Sequence, residues 1–102
     1  MLQARRIRSS ALKKLVKNGD ESKIKPEWRS KVRRLLGQLN AAVSPEELDL
    51  PGYDFHLLSS DTDRKGTYSV SISGNWRITF KWDDEGPYDV DMEDYHHGRG
   101  RR

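Results

Sequence analysis

The residues best suited to chemistry lie near the end of the sequence, where Asp94, Tyr95, His96 and His97 follow one another. A carboxylate, a phenol and an imidazole held together at the end of a strand are groups that transfer protons in catalysis. The alternative is a polar strand end without a role. A metal site is a weaker interpretation, because adjacent side chains of a strand point to opposite faces and chelate one ion poorly.

Two cations form a second group of candidates. Arg77 and Lys81 alternate with hydrophobic residues, which places both on the polar side of one strand. A guanidinium there could bind a phosphate, or it could pair across strands with Asp89 or Asp91 as an ordinary surface residue. In either case we expect truncation of Arg77 to leave the hydrophobic core intact.

A charged turn and a single histidine complete the candidates. Arg64 and Lys65 lie in a turn before a strand, where they could contact a polyanion or simply be solvated. His56 lies on the side of its segment opposite to Phe55 and Leu57. Taken alone, a histidine in this setting is more often structural or exposed than functional.

The composition is that of a small folded protein. A chain of 102 residues suits one hydrophobic core, and its three Trp, four Tyr and two Phe are too many for a disordered segment. No apolar run approaches the roughly 20 residues of a membrane span, and no secretory signal follows the N-terminus. The absence of Cys excludes disulfides and thiolate metal sites. We therefore expect a cytoplasmic protein that does not use a membrane.

Charge is concentrated at the start of the chain. The formal net charge is +3, but residues 1–34 alone hold twelve Lys and Arg against three Asp and Glu. Such a segment suits a polyanionic partner, either nucleic acid or an acidic protein. The alternative is a solvated basic surface.

Two helices are predicted in the first half. Ser10 is a suitable N-cap for a helix over residues 11–18, and Gly19 is a suitable end. The second helix begins at Pro26, and its apolar residues recur at helical spacing as far as Val43.

In the second half the apolar period changes from 3.6 to 2, which predicts strands. The alternating segments are residues 53–57, 67–73, 76–82 and 88–93. Gly74 and Asn75 form a two-residue hairpin connection, and residues 83–86 form a longer one. A further short edge strand is possible over residues 2–7.

These elements predict an α+β fold in which a small antiparallel sheet is covered on one face by two N-terminal helices. The predicted domain spans residues 1–97. Residues 98–102 form a basic tail that we expect to be flexible.

Several segments, taken in this order, resemble HigB-type host-inhibition toxins of the RelE/ParE superfamily. The resemblance covers residues from about 3 to 97. It is carried by D-R-K-G-T-Y-S-V (63–70), N-W-R-I-T-F (75–80), G-P-Y-D-V (86–90) and E-D-Y-H (93–96). The specific strings among these are N-W-R-I-T-F and E-D-Y-H.

The resemblance implies a RelE-like fold and a ribosome-dependent endoribonuclease that cuts translated mRNA in the decoding site. It implies no metal and no cofactor. A HigA-type helix-turn-helix antitoxin would neutralise the toxin, and operator DNA would be bound only through that antitoxin.

It also implies roles for individual residues. His96 would be the general acid or base, with Asp94 orienting it and Tyr95 stacking on a base or aiding proton transfer. Arg77 would hold the scissile phosphate. Arg64 and Lys65 would position the RNA backbone.

One segment departs from the family pattern H-x-L-K-G-D-R. Between His56 and Arg64 this chain is two residues longer and lacks the Lys. His56 would be a second proton carrier if it matches the family histidine, and Lys65 or Lys81 could replace the missing cation. The alternatives are a ParE-like toxin that binds DNA gyrase without cleaving RNA, or a catalytically degenerate toxin.

Overall fold

A computed structural model of the chain describes residues 2–58 and 66–94. Within these residues it confirms the predicted α+β class, with two α-helices and one four-stranded antiparallel sheet. Short 3₁₀ helices span Ala4–Arg6 and Pro45–Leu48. The main elements are α1 (Ser10–Asn18), α2 (Pro26–Ala41), β1 (His56–Leu57), β2 (Tyr68–Ser73), β3 (Trp76–Asp83) and β4 (Gly86–Asp94).

Helix α1 begins one residue earlier than predicted. Ser9, rather than Ser10, is its N-cap, and the Ser9 Oγ accepts a hydrogen bond from the backbone N–H of Leu12 at 3.2 Å. Gly19 ends the helix in the left-handed conformation, with φ +70°, which a residue without a Cβ adopts easily. Two consecutive serines offer the same cap, so the pattern located the helix start only to within one residue.

Helix α2 begins at Pro26, as predicted, and ends at Ala41. The predicted extension of its apolar stripe to Val43 is wrong, because that side chain lies beyond the helix and is 85% exposed. Pro45 follows two residues later and disfavours helical conformation in the residue before it.

The predicted edge strand over residues 2–7 is also wrong. The backbone instead makes a 3₁₀ turn, in which Arg6 N–H donates to the Gln3 carbonyl at 2.9 Å. Beyond this turn, Ile7 forms a parallel bridge with Val90 of β4. The N-terminal segment therefore lies along the edge of the sheet without becoming a regular strand.

The four strands are neighbours in chain order, as the predicted meander requires. Gly74 and Asn75 connect β2 to β3 as expected. The connection between β3 and β4 is tighter than predicted, because Asp83 pairs with Gly86 and leaves a two-residue turn.

The sheet has an apolar face and a polar face. On the apolar face, Val70, Ile78, Phe80 and Val90 join the core that both helices line. We call the opposite side the polar face. The paired registers place Ser69, Ser71, Arg77, Thr79, Asp91 and Glu93 on it.

Strand β1 is shorter than the alternation over residues 53–57 predicted. Asp54 has φ +48°, a left-handed backbone conformation that a strand cannot include. The strand is reduced to His56 and Leu57, and His56 pairs with Ser69. This register puts His56 on the same side of the sheet as the polar face.

Candidate active site

The guanidinium of Arg77 lies near one end of the polar face and donates three hydrogen bonds to its neighbours. Arg77 Nε donates to Ser69 Oγ at 2.8 Å, and Nη1 donates to Asp54 Oδ2 at 3.1 Å. Nη2 donates to the backbone carbonyl oxygen of Asp54. The residue is only 7% exposed. A guanidinium carries five N–H groups in one plane. Three of them donate to these partners, so at most two remain for a ligand.

This arrangement corrects two expectations about Arg77. The residue is not an exposed cation paired with Asp89 or Asp91, because its ion-pair partner, Asp54, comes from the segment before β1. Truncation would not leave the fold untouched either. It would remove a buried side chain and three hydrogen bonds that join β3 to β2 and to this segment.

Asp54 also contacts the candidate proton carrier His56. The imidazole Nδ1 lies 3.0 Å from the Asp54 carbonyl oxygen and 3.4 Å from its Oδ1. His56 pairs with Ser69, whose hydroxyl accepts a hydrogen bond from Arg77. The histidine therefore lies on the same side of the sheet as the Arg77 guanidinium. The structure thus brings His56 and Arg77 together through one shared residue.

Glu93 is the β4 residue directly opposite Arg77 in the β3–β4 register. Its Oε2 accepts a hydrogen bond from Thr79 Oγ1, and Thr79 is almost completely buried. Antiparallel partners in register lie on the same face. Glu93 is therefore a carboxylate of the polar face that the sequence analysis did not single out.

Asp94 ends β4 and is exposed. It pairs with Trp76, whose side chain packs against the core, so strand alternation gives it the parity of the apolar face. This agrees with its predicted position at the end of a strand. Tyr95, His96 and His97 lie outside the described residues, and their contacts with Asp94 or Arg77 stay predictions.

Lys81 lies beside a polar hollow at the other end of the face. The hollow has a volume of about 200 Å³, and Asp89 at its rim has φ +51°. A register irregularity between Thr79 and Lys81 accompanies this conformation, and such bulges redirect side chains. The lining residues are Arg8, Thr67, Thr79, Lys81, Asp89, Asp91 and Glu93.

The turn that carries Arg64 and Lys65 lies outside the described residues, so their position relative to Arg77 stays a prediction. Thr67, which follows the turn, is buried and lines the hollow beside Lys81.

A further cation approaches the Arg77 end from helix α2. Lys31 Nζ donates to the Gly52 carbonyl at 2.9 Å. Burial lowers the pKa of Lys31, and the positive charges of Arg34 and Arg77 lower it further. Lys31 and Arg77 thus bring two positive charges to the segment that precedes β1.

Two kinds of feature are absent from the described residues. Among residues 2–58 and 66–94, no group of three or more His, Cys, Asp or Glu side chains is arranged to hold a metal ion. In the same part of the chain, no helix is long and apolar enough to cross a membrane.

The fold and the sequence together define a known class. The family model of HigB-like toxins, which are RelE-like toxins of type II toxin–antitoxin systems, matches residues 5–96, and the chain belongs to this family. One relative is the endoribonuclease HigB of Proteus vulgaris. This chain is 30% identical to it over 90 residues, which cover 88% of this chain and 96% of the relative. The resemblance noted in the sequence is confirmed.

Sequence reasoning missed three residues that organise the described part of the site. Asp54 lies in an apparent strand pattern, and Ser69 lies among several similar serines of β2. Glu93 was noted only as part of the E-D-Y-H string. The signal for Asp54 is its place directly after the Pro51-Gly52 turn and two residues before His56. Asp is one of the few residues that tolerate a left-handed backbone.

Proposed function

We propose that this toxin is a ribosome-dependent endoribonuclease that cuts translated mRNA and thereby arrests growth. The observation that carries the proposal is the similarity to the endoribonuclease HigB of Proteus vulgaris, which spans 96% of that protein. The polar face adds physical support, because it holds an imidazole and a guanidinium on one side of a rigid sheet.

RNA carries its own nucleophile, which simplifies the chemistry. The 2′-oxygen attacks the adjacent phosphorus, and the bond from phosphorus to the 5′-oxygen breaks. The protein must take the 2′-hydroxyl proton, give a proton to the leaving oxygen and neutralise the developing negative charge. In our proposal His96 is one proton carrier, Asp94 orients it, and Tyr95 stacks on a base or assists proton transfer.

His56 is the second proton carrier in this proposal, and Arg77 faces the scissile phosphate with the N–H groups that its protein partners leave. Because Ser69 and Asp54 hold the guanidinium rigidly, it would meet the transition state without reorganisation. Arg64, Lys65 and Lys81 contact the RNA backbone. The RNA would thus run across the polar face from the Arg77 end to the hollow beside Lys81.

The remaining parts of the proposal concern setting and partners. Residues 1–97 form the toxin domain, and residues 98–102 form a basic tail. The toxin acts in the cytoplasm. It uses no metal or cofactor to generate a nucleophile, because the 2′-hydroxyl of the substrate is the nucleophile. A HigA-type antitoxin neutralises it and carries any contact with operator DNA.

The test is induction of the chain in cells without its antitoxin, followed by mapping of mRNA 5′ ends. We expect growth arrest and new ends within translated regions. In His96→Ala the rate of mRNA cleavage should fall by roughly a hundredfold or more, as for loss of a positioned proton carrier. Growth arrest should weaken with it. His97→Ala, which removes the same side chain one position later, is the matched control and should resemble the parent.

Two outcomes would contradict the proposal. If well-folded His96→Ala cuts mRNA like the parent, the site assignment is wrong. If the parent arrests growth while mRNA stays whole and DNA damage appears, the protein is a gyrase-directed toxin instead.

A further inference from the structure

Asp54 contacts both functional groups of the described site. Its carboxylate reaches Arg77 through Oδ2 at 3.1 Å and His56 through Oδ1 at 3.4 Å. Its backbone carbonyl accepts a hydrogen bond from Arg77 and lies 3.0 Å from His56 Nδ1. One residue thus joins the cation and the imidazole through its side chain and its main chain.

The contact with the carbonyl favours a proton on Nδ1 of His56. A carbonyl oxygen can only accept a hydrogen bond, so Nδ1 must donate if the 3.0 Å contact is a hydrogen bond. In the neutral imidazole Nε2 is then unprotonated and able to take a proton. Without such a partner, a neutral histidine in water favours the opposite tautomer, in which Nε2 is protonated.

The backbone of Asp54 supports a specific role. Its φ of +48° is left-handed, a conformation that costs free energy for any residue with a Cβ and persists where the surrounding structure requires it. The preceding residue, Tyr53, is held by two backbone hydrogen bonds. Tyr53 N–H donates to the Leu50 carbonyl at 3.1 Å, and the Tyr53 carbonyl accepts from Ser71 N–H of β2 at 2.7 Å. The site therefore holds Asp54 in place although its side chain is largely exposed.

We propose that Asp54 is a positioning residue, which fixes His56 as the Nδ1–H tautomer and couples its orientation to that of Arg77. This inference rests on the proposed ribonuclease function, in which His56 transfers a proton. Asp54 itself does not touch the RNA. Its effect on the reaction comes from holding Nε2 of His56 in the correct protonation state while the guanidinium stays in place.

The first measurement is the tautomer of His56, read from two-bond ¹⁵N–¹H correlations of the uniformly ¹⁵N-labelled protein above pH 8. The chain has three histidines, and a His56→Gln variant assigns the signal. We expect the Nδ1–H form in the parent. In Asp54→Ala we expect mainly the Nε2–H form, because Ala lacks the carboxylate and disfavours the left-handed backbone that presents the carbonyl to Nδ1. Asp54→Asn should keep the parent tautomer, because Asn also tolerates the left-handed backbone and retains a side-chain oxygen. Asp84→Asn, in the exposed β3–β4 turn, is the matched control.

The second measurement is single-turnover cleavage of ribosome-bound mRNA by the same proteins, well below their melting temperatures. We expect Asp54→Ala to cleave about 10- to 100-fold more slowly, the range for loss of an outer partner of a catalytic histidine. Its concentration for half-maximal rate should change little. Asp54→Asn should recover most of the rate. A purely structural role would lower the melting temperature without moving the tautomer.

Two results would overturn the inference: a parent His56 in the Nε2–H form, or a folded Asp54→Ala that changes tautomer but keeps the parent rate. Failure of the proposed function looks different. In that case the parent would not cleave mRNA at all, while the change of tautomer between the parent and Asp54→Ala would still establish the positioning of His56.

Discussion

At the scale of single residues, the central feature is a buried guanidinium whose partners lie in two other parts of the chain. Arg77 of β3 reaches Ser69 of β2 and Asp54 before β1. Arginine fits here because its N–H donors lie in one rigid plane and can reach several acceptors at once. The ammonium of lysine places its three donors on one nitrogen at the end of a flexible chain. The residue proposed to face the phosphate therefore also holds the first strand to the sheet.

Replacement of Arg77 should reveal this structural role. We expect Arg77→Ala to lower the free energy of unfolding by about 2–4 kcal/mol, because it removes three hydrogen bonds and leaves a space in a buried site. Arg77→Lys keeps the charge but not the fork, and we expect a loss of about 1–2 kcal/mol. Urea unfolding followed by Trp fluorescence measures both. Arg34→Ala, on the exposed side of α2, should stay within about 0.5 kcal/mol of the parent.

Alternation in β3 predicted correctly that Arg77 lies opposite to the hydrophobic row, but it did not predict burial. Burial depends on Asp54, which is 23 positions away in the chain, and on a backbone conformation that no local pattern signals. The roles assigned to Tyr95, His96, Arg64 and Lys65 came from the family resemblance, and they stay predictions. The sequence thus located the face of the sheet that carries the site, but not the contacts within it.

At the scale of elements, the N-terminal turn and the β3–β4 hairpin are joined by Arg6. Its Nε donates to the Pro87 carbonyl at 2.9 Å, and Nη2 donates to the Gly86 carbonyl at 3.1 Å. Nη2 also pairs with Asp83, and the guanidinium lies 5.5 Å from the centre of the Tyr88 ring. The side chain is mostly buried by these contacts.

We expect Arg6→Ala to destabilise the fold by about 1–3 kcal/mol, since backbone carbonyls of the hairpin lose a charged donor. Arg5 is the natural control. It precedes Arg6 in the chain and is well exposed, and its Nη2 lies 3.6 Å from Glu85 Oε1 in a surface ion pair. Arg5→Ala should therefore change stability by less than about 0.5 kcal/mol. Thermal melts of the two variants make the comparison. If both variants lost the same stability, Arg6 would act only through its positive charge and not through its hydrogen bonds to the hairpin.

The same hairpin should make stability depend on pH. The backbone N–H of Glu85 donates to Asp83 Oδ1 at 2.8 Å and lowers the pKa of Asp83, and Arg6 lowers it further. A carboxylate with a lowered folded-state pKa stabilises the fold above its ordinary value of 3.8. That stabilisation is lost as pH falls through the lowered value.

We therefore expect the melting temperature of Asp83→Asn to lie below that of the parent near neutral pH, and to approach it as the pH falls below the ordinary carboxyl value of 3.8. Asp84→Asn, which changes the neighbouring residue of the same turn, should show no such convergence. If the difference in melting temperature between Asp83→Asn and the parent did not change with pH, the stabilisation would not come from the charge of the Asp83 carboxylate.

The elements were predicted better than their ends. The four strands and their order followed from the period-2 alternation, and Pro26 marked the start of α2 correctly. The errors lie at residues 2–7, at Val43 and in the segment before β1. At residues 2–7 and before β1, contacts distant in the chain decide the conformation: Arg6 holds a turn where the strand pattern was weak, and Asp54, which pairs with Arg77, interrupts the alternation. At Val43 the cause is local, because Pro45 disfavours continuation of the helix.

At the scale of the whole molecule, the basic first third is partly used within the fold. Arg6 and Arg33 form ion pairs with Asp83 and Glu21. Lys13, Lys14 and Lys17, in contrast, are exposed on α1 and present a row of cations to solvent. Binding to the ribosome should therefore be sensitive to salt, since each neutralised phosphate releases counterions.

With about six to ten phosphate contacts, affinity for ribosomes should fall on the order of a thousandfold or more between about 50 and 200 mM salt. Replacing the three α1 lysines by Gln should weaken binding at low salt and flatten this dependence, which sedimentation at several salt concentrations would measure. The melting temperature should stay close to that of the parent. An unchanged salt slope would show that this row of lysines does not contact nucleic acid.

The bridge between Ile7 and Val90 has a consequence for solubility. β4 is the last strand in the sheet order, and such an edge invites another chain to add a strand and begin aggregation. Here the passing N-terminal segment occupies part of that edge, since Arg8 N–H donates to the Val90 carbonyl at 2.7 Å. Removal of residues 2–8 would uncover these groups, and we expect the shortened chain to self-associate even where its core still folds.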